Sequence, residues 1–319
     1  MEPAIAIRDL VKSFGSLRAV DGLSLDVAAG EMFALVGPDG AGKTTTIRIL
    51  CGILRPDAGS AAVMGLDVVR RIRDVRRHIG YLSQRFTLYG DLSIDENIEF
   101  FARIHGVRDF RRRRDELLEF TRLGEFRTRL ADRLSGGMKQ KLALACTLIH
   151  TPDLILLDEP TTGVDPVTRR DFWRLLADLM TRGTTILLTT PYLDEAERCT
   201  RVAMMSHGRL LACAPPDELR TAQGRSVVEV VCSPVRAALA IARDDARLRA
   251  VFPKAQMLGE RLDLFTADAG APALELLRSV LEMRGVTISS IRTRRPSLEN
   301  IFLELLESEQ ATEEASDER

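Results

Sequence analysis

No stretch of this chain approaches 18 consecutive apolar residues, so its own pattern predicts no membrane-spanning helix. The start, Met1-Glu-Pro, lacks the basic residues of a secretory signal, and the chain is expected to be made and kept in the cytosol. A net charge is also missing, since 45 Lys+Arg stand against 46 Asp+Glu. That balance gives no bulk electrostatic argument for a nucleic-acid binder or for an acidic solvating protein. Five cysteines, Cys51, Cys146, Cys199, Cys213 and Cys232, are scattered without metal-ligand spacing. They read as reduced, partly buried thiols rather than bridges, and the odd count agrees. At 319 residues the chain has room for two domains, or three compact units.

What is present is concentrated in Leu35-Val-Gly-Pro-Asp-Gly-Ala-Gly-Lys-Thr-Thr45, an eight-position phosphate-loop (Walker A) pattern with Gly37, Gly40, Gly42, Lys43 and Thr44 in the required places. The apolar run Met32 to Val36 precedes it as a strand, and Thr45 to Leu50 follows as the first turns of a helix. Glycines let backbone N–H groups turn inward around phosphates, and the helix start adds its own. The expected contacts are Gly37, Asp39, Gly40, Ala41, Gly42, Lys43, Thr44 and Thr45. Lys43 can reach the β- and γ-phosphates of ATP, and the Thr44 hydroxyl can ligate Mg²⁺.

Farther on, Leu154-Ile-Leu-Leu-Asp-Glu-Pro160 reads as a buried parallel strand ending in two carboxylates, at the strand end where ligands bind in open α/β sheets. Asp158 suits Mg²⁺ opposite Thr44, and Glu159 suits the attacking water. Between the two motifs, Ser135, Gly136 and Gly137 open a helix-competent run, Lys139 to Ile149. That is a second anion-binding helix start in a chain with a complete phosphate cradle. The economical explanation is the γ-phosphate of ATP held by another subunit; a plain glycine-containing cap is the alternative.

Around these motifs, residues 4–27 alternate as short strands with turns near Gly15-Ser and Ala28-Ala-Gly30, and residues from about 85 to 150 are mostly helical in pattern. Arginine clusters at Arg70 to Arg77 and Arg108 to Arg114 read as solvated helix faces, or as docking surfaces for acidic partners or lipid headgroups. After Pro215-Pro216 the pattern runs strand at Val227, helix over 235–251, strand at Leu262, helix over 273–283, strand at Val286 and a closing helix from Ser297 to Leu306. This order predicts a small α+β unit of ferredoxin-like type. Glu307 to Arg319 carries six acidic residues without a packing pattern and is expected to be disordered.

Together these motifs resemble the nucleotide-binding subunit of an ATP-binding cassette (ABC) transporter, of the class whose exporter-type permease is a separate chain. The resemblance covers about residues 5–220, and Leu134-Ser-Gly-Gly-Met138 is similar to the family signature, with Met138 in place of the usual Gln. It implies a P-loop α/β cassette over 1–220, with an antiparallel β subdomain and a helical subdomain at about 85–150, then an accessory domain over 225–306. It implies that Phe14 stacks on adenine, that Gln84 senses Mg²⁺ and couples to the permease, and that Asp165 crosses a dimer interface. Two cassettes would close head to tail around two ATP molecules, a homodimer or a heterodimer with a second cassette, at the cytoplasmic face of the membrane. Arg295-Pro-Ser-Leu-Glu-Asn-Ile-Phe-Leu303 also resembles the C-terminal extension of drug- and antibiotic-export members.

Two further positions depart from the family. Pro191 stands where the family has a His that contacts the γ-phosphate, and proline offers neither a side-chain donor nor a backbone N–H. Losing such a contact costs on the order of 2–4 kcal/mol of transition-state stabilisation, with Thr190 as a partial substitute. Asp39 replaces the usual Asn and adds a carboxylate beside the phosphate loop. The competing readings are a weakly catalytic regulatory cassette, which Pro191 favours, and a soluble cassette ATPase acting on nucleic acid or ribosomes. The second commonly needs a long coiled coil or two cassettes in one chain, and neither occurs; no nucleic-acid partner is expected.

Overall fold

The first two strands, β1 (Ile5–Phe14) and β2 (Leu17–Val27), pair antiparallel across the two-residue turn Gly15-Ser16, where Gly15 lies at φ 60°. A two-residue link with a left-handed residue is what a tight hairpin between twisted strands requires. The computed structural model describes residues 2–84, 88–221, 226–267 and 269–317, with the backbone alone over 310–317. The chain divides into two units, Met1–Pro215 and Pro216–Arg319.

In the first unit, β3 (Met32–Val36) runs into α1 (Lys43–Leu50), followed by β4 (Ala58–Val63), β5 (Leu66–Asp67), α2 (Ile72–His78) and β6 (Ile79–Leu82). Three helices come next: α3 (Ile94–Ile104), α4 (Phe110–Thr121) and α5 (Gly136–Leu148). Then β7 (Leu154–Asp158), α6 (Pro166–Thr181), β8 (Thr185–Thr190), a single turn α7 (Leu193–Ala196), β9 (Arg201–Ser206) and β10 (Arg209–Ala214) complete it. Strands β2-β1-β4-β5 form an antiparallel sheet. Strands β10-β9-β3-β8-β7-β6 form a second sheet, parallel except for the β10 edge.

Every residue of β3, β7 and β8 is buried, which is why these strands read as continuous apolar runs rather than alternations. Phe33, Leu35, Ile47, Leu156, Leu187 and Met205 join one core with Ile7 and Leu23 of the antiparallel sheet. Burying each such side chain contributes roughly 1.5–3 kcal/mol. The register then sets the site: Val36 lies level with Thr190, and Asp158 with Thr189. Three adjacent strands thus end together beside the start of α1.

The helical stretch was expected from residue 85; residues 85–87 lie outside the described residues. Beyond them Ser93 starts α3 with a capping box, its hydroxyl accepting the Glu96 N–H and its own N–H donating to the Glu96 carboxylate. Asn97, fully buried, donates to the Tyr89, Leu92 and Ser93 carbonyls and so fixes the entry to this helix. Many of the cluster arginines have carboxylate partners on this chain: Arg71 and Arg77 with Asp74, Arg113 with Glu116, Arg114 with Asp95 and Asp115. The exposed ones among these pairs stabilise little and belong to solvated helix faces, whereas Arg114 and Asp95 are both largely enclosed.

The second unit contains α8 (Pro216–Thr221), β11 (Ser226–Ser233), α9 (Val235–Asp244), α10 (Ala246–Val251), β12 (Lys254–Leu258), β13 (Arg261–Thr266), α11 (Ala271–Met283), β14 (Thr287–Arg294) and α12 (Leu298–Asp317). Its antiparallel sheet has the order β12-β13-β11-β14, the arrangement of a split β-α-β fold. Residue 225, the expected start of the accessory unit, lies outside the described residues. Three details differ from the sequence pattern. Strand β12 was not expected; its centre is Gln256, a buried polar residue that hides the alternation. The helix over 235–251 is split at Asp245, whose carboxylate caps α10 by accepting the Arg247 and Leu248 N–H groups. The acidic tail, expected to be disordered from Glu307, instead continues α12 to Asp317, since Glu, Gln and Ala are good helix formers and Lys254 pairs with Glu307 at 2.6 Å.

Candidate functional site

Gly42 makes the phosphate loop possible. It sits at φ 97°, and a Cβ there would lie 2.3 Å from the Ala19 carbonyl oxygen, so no other residue fits. It caps α1, whose first N–H groups have no partner within the helix and are available to an anion. Lys43 follows, almost fully buried, with Nζ donating to the carbonyls of Gly37 at 2.7 Å and Pro38 at 2.9 Å. Burial pushes the Lys43 ammonium below its ordinary pKa, opposed by the nearby carboxylates of Glu159, Asp39 and Asp158. Around it lies a cleft of about 400 Å³. Residues 39–45 form one wall, Phe14, Leu17 and Ala19 another, and Gln84 and Glu159 close the end. Phe14 is 48% exposed, so its ring is open to a flat partner.

Both carboxylates at the end of β7 reach this cleft or its floor. Asp158 is fully buried, and its Oδ1 accepts from the hydroxyls of Thr44 and Thr189, each at 2.8 Å. Its Oδ2 is buried with no protein partner. A hydroxyl and an orphaned carboxylate oxygen side by side are the hard oxygen donors that Mg²⁺ takes, so the residues present fit that ion. Glu159 adopts φ 50°, and its carboxylate accepts from Gln84 Nε2 at 2.8 Å and from the Thr162 hydroxyl at 3.2 Å, with Lys43 Nζ 4.0 Å away. Gln84, expected at the metal, thus has its amide N–H on Glu159.

The second helix start, expected to meet an anion, lies elsewhere. Ser135 caps α5, accepting the Met138 N–H at 3.3 Å. Gly137 is there for packing, since a Cβ would meet Thr168 of α6 at 2.2 Å, whereas Gly136 faces open space. Ser135, Gly136 and Gly137 do not line the cleft that holds Lys43. Asp165 caps α6, accepting the Val167 and Thr168 N–H groups, and the hydrogen bonds from Thr168 hold its carboxyl below the usual carboxylate range.

Beside Pro191 the expected substitute is engaged. The Thr190 hydroxyl donates to Glu195 Oε2 at 2.8 Å, and Thr161 donates to Oε1 at 2.6 Å. Glu195 is buried, and Arg169 lies 3.4 Å from it while stacking on Tyr192. Sequence reasoning missed Glu195, Thr162, Thr189, Leu17 and Ala19. The one signal for Thr189 was polarity, Thr189-Thr190 ending the apolar run Ile186-Leu187-Leu188. All five cysteines are free, as expected.

A search of solved structures finds an ATP-binding subunit of an ABC transporter, 29% identical with a TM-score of 0.63, covering 69% of this chain and 93% of that one. Among curated proteins, the daunorubicin resistance ATP-binding protein DrrA3 of Streptomyces coeruleorubidus is 36% identical over 99% of each chain. The probable multidrug ABC transporter ATP-binding protein YbhF of Escherichia coli (strain K12) is 41% identical over 69% of this chain, which spans 38% of that protein's length. Residues 20–162 match the family model described as ABC transporter. The P-loop α/β fold and the motifs agree with these likenesses, and the chain belongs to the ABC transporter family as one of its ATP-binding cassettes.

Proposed function

We propose that this chain binds and hydrolyses ATP to power export of a small or hydrophobic compound through a separate membrane permease. The observation that carries the hydrolytic part is the placement of Asp158 against Thr44 and of Glu159 against Lys43, at the floor and end of one cleft. Lys43 and the loop N–H groups hold the β- and γ-phosphates, and Phe14 stacks on the adenine. Glu159, steadied by Gln84, orients and deprotonates the attacking water. Thr44 and Asp158 would hold Mg²⁺, which would supply charge neutralisation at the phosphate oxygens. Transfer is to water, with no covalent enzyme intermediate.

Ser135, Gly136 and Gly137 stand outside their own chain's cleft, which supports their use on the ATP of a second copy in a homodimer, with Asp165 at the junction. The first unit, read from the sequence as 1–220, is taken as the ATPase domain with its helical subdomain at about 85–150, and the second, read as 225–306, as the accessory domain, with the division falling at Pro215. Among the described residues no helix is long and apolar enough to cross a membrane. The names of the relatives, one for daunorubicin resistance and one for multidrug transport, support export, from a position on the cytoplasmic membrane face. A weakly catalytic, regulatory cassette is the second reading, favoured by Pro191 and by the engagement of Thr190 with Glu195. ATP hydrolysis measured alone, with duplex DNA, with ribosomes and with a reconstituted permease separates these readings: stimulation by the permease alone is expected, and stimulation by nucleic acid or ribosomes contradicts it.

A further inference from the structure

Thr189 is fully buried at the end of β8, level with Asp158 in the neighbouring strand. Its hydroxyl accepts the Glu159 N–H at 3.0 Å and donates to Asp158 Oδ1 at 2.8 Å, while its carbonyl accepts the same N–H at 3.2 Å. A hydroxyl can do both because it carries one donor hydrogen and two lone pairs. One side chain therefore touches both acids of the site.

Glu159 requires such a hold. Adjacent side chains on an extended strand point to opposite faces, so a strand-like Glu159 would leave on the side away from Asp158. At φ 50° it instead turns back into the cleft, toward Gln84 and Lys43. That left-handed conformation is unfavourable for any residue with a Cβ, and it persists only where surrounding groups fix it. The bonds from the Glu159 N–H to Thr189 are such a fixture.

We propose that Thr189 is a positioning residue for hydrolysis, its hydroxyl holding Glu159 in the turn that aims its carboxylate at the water while fixing the Asp158 oxygen shared with Thr44. This rests on the hydrolytic reading above. Thr189→Val preserves shape and burial but removes the hydroxyl, and Thr189→Ser restores it. No motif of the phosphate loop or of the Asp-Glu pair includes this position.

The test uses the full chain, parent and variants, with MgATP titration and single-turnover hydrolysis at saturating Mg²⁺. Thr189→Val is expected to bind MgATP within about threefold of the parent and to hydrolyse it about tenfold more slowly. Thr189→Ser recovers to within about threefold, and Thr189→Val adds no loss on top of Glu159→Gln. Should the valine variant fail to fold, Thr189→Ala carries the same expectation. Parent-like hydrolysis by Thr189→Val, or a serine variant as slow as valine, overturns the proposal while leaving the hydrolytic reading intact. A parent no faster than Glu159→Gln overturns that reading and this inference with it.

Discussion

Gln84 donates its side-chain amide to Glu159 Oε2 at 2.8 Å, tying the segment after β6 to the carboxylate at the end of β7. A carboxylate that must hold a water in line gains from having one oxygen fixed by a neutral donor, which orients it without protonating it.

Removing that donor should therefore slow chemistry more than binding. Gln84→Ala is expected to lower the single-turnover hydrolysis rate about fivefold to tenfold, with MgATP affinity within about threefold of the parent. An unchanged rate places the Gln84–Glu159 contact outside the catalytic arrangement.

Lys43 Nζ rests on the Gly37 and Pro38 carbonyls, poised at the mouth of the loop. Replacing it leaves the phosphates without their buried cation. Lys43→Ala should weaken MgATP binding about tenfold to a hundredfold, by the strength of charge-assisted hydrogen bonds. Calorimetry on the purified chain decides it; parent-like affinity removes the phosphate-loop assignment.

Pro191 supplies no donor and Thr190 has given its hydroxyl to Glu195. Pro191→His should then raise single-turnover hydrolysis about tenfold in the ATP-saturated protein. A flat or lower rate shows that the site already has this contact, or that the loop depends on proline fixing φ.

His105 and His150 stack with ring centroids 3.8 Å apart, nearly parallel. The His105 side chain stays exposed on one side, and the partial burial of its ring, then the facing His150, push the imidazole down to about 4. Lowered in the folded state from an ordinary 6.5, it takes up a proton first in the unfolded chain, so its contribution is complete above about pH 6.5 and fades as pH falls toward 4. His105→Phe keeps a ring in the stack without a proton to gain. Melting curves should show the parent losing more stability than the variant between pH 6.5 and 4; equal slopes contradict the assignment.

The place of the glycine-rich loop was legible because it is local: Gly42, Lys43 and Thr44 are set by their own backbone and a single helix start. The Asp158-Glu159 pair was legible for a related reason, an apolar run ending at the ligand-binding edge of a sheet. Thr189 was not, because its partners lie about thirty positions away across a strand pair, and register between parallel strands is a tertiary property. Glu195 belongs to no motif, and only the closing of Thr161, Thr190 and Arg169 around it sets it apart. In the second unit, Gln256 masked β12, and helix propensity along the acidic tail outweighed the want of an apolar stripe.

The central claim, ATP shared between two copies and hydrolysed through Glu159, is tested most directly by light scattering of Glu159→Gln with and without MgATP. Gln preserves shape without basicity, so the variant should bind ATP, hydrolyse it very slowly and accumulate as a dimer. Adding Ser135→Arg, which fills the helix start offered to the other copy, should return that dimer to monomer with ATP still bound. A Glu159→Gln chain that binds ATP yet stays monomeric, or that hydrolyses at the parent rate, contradicts the account.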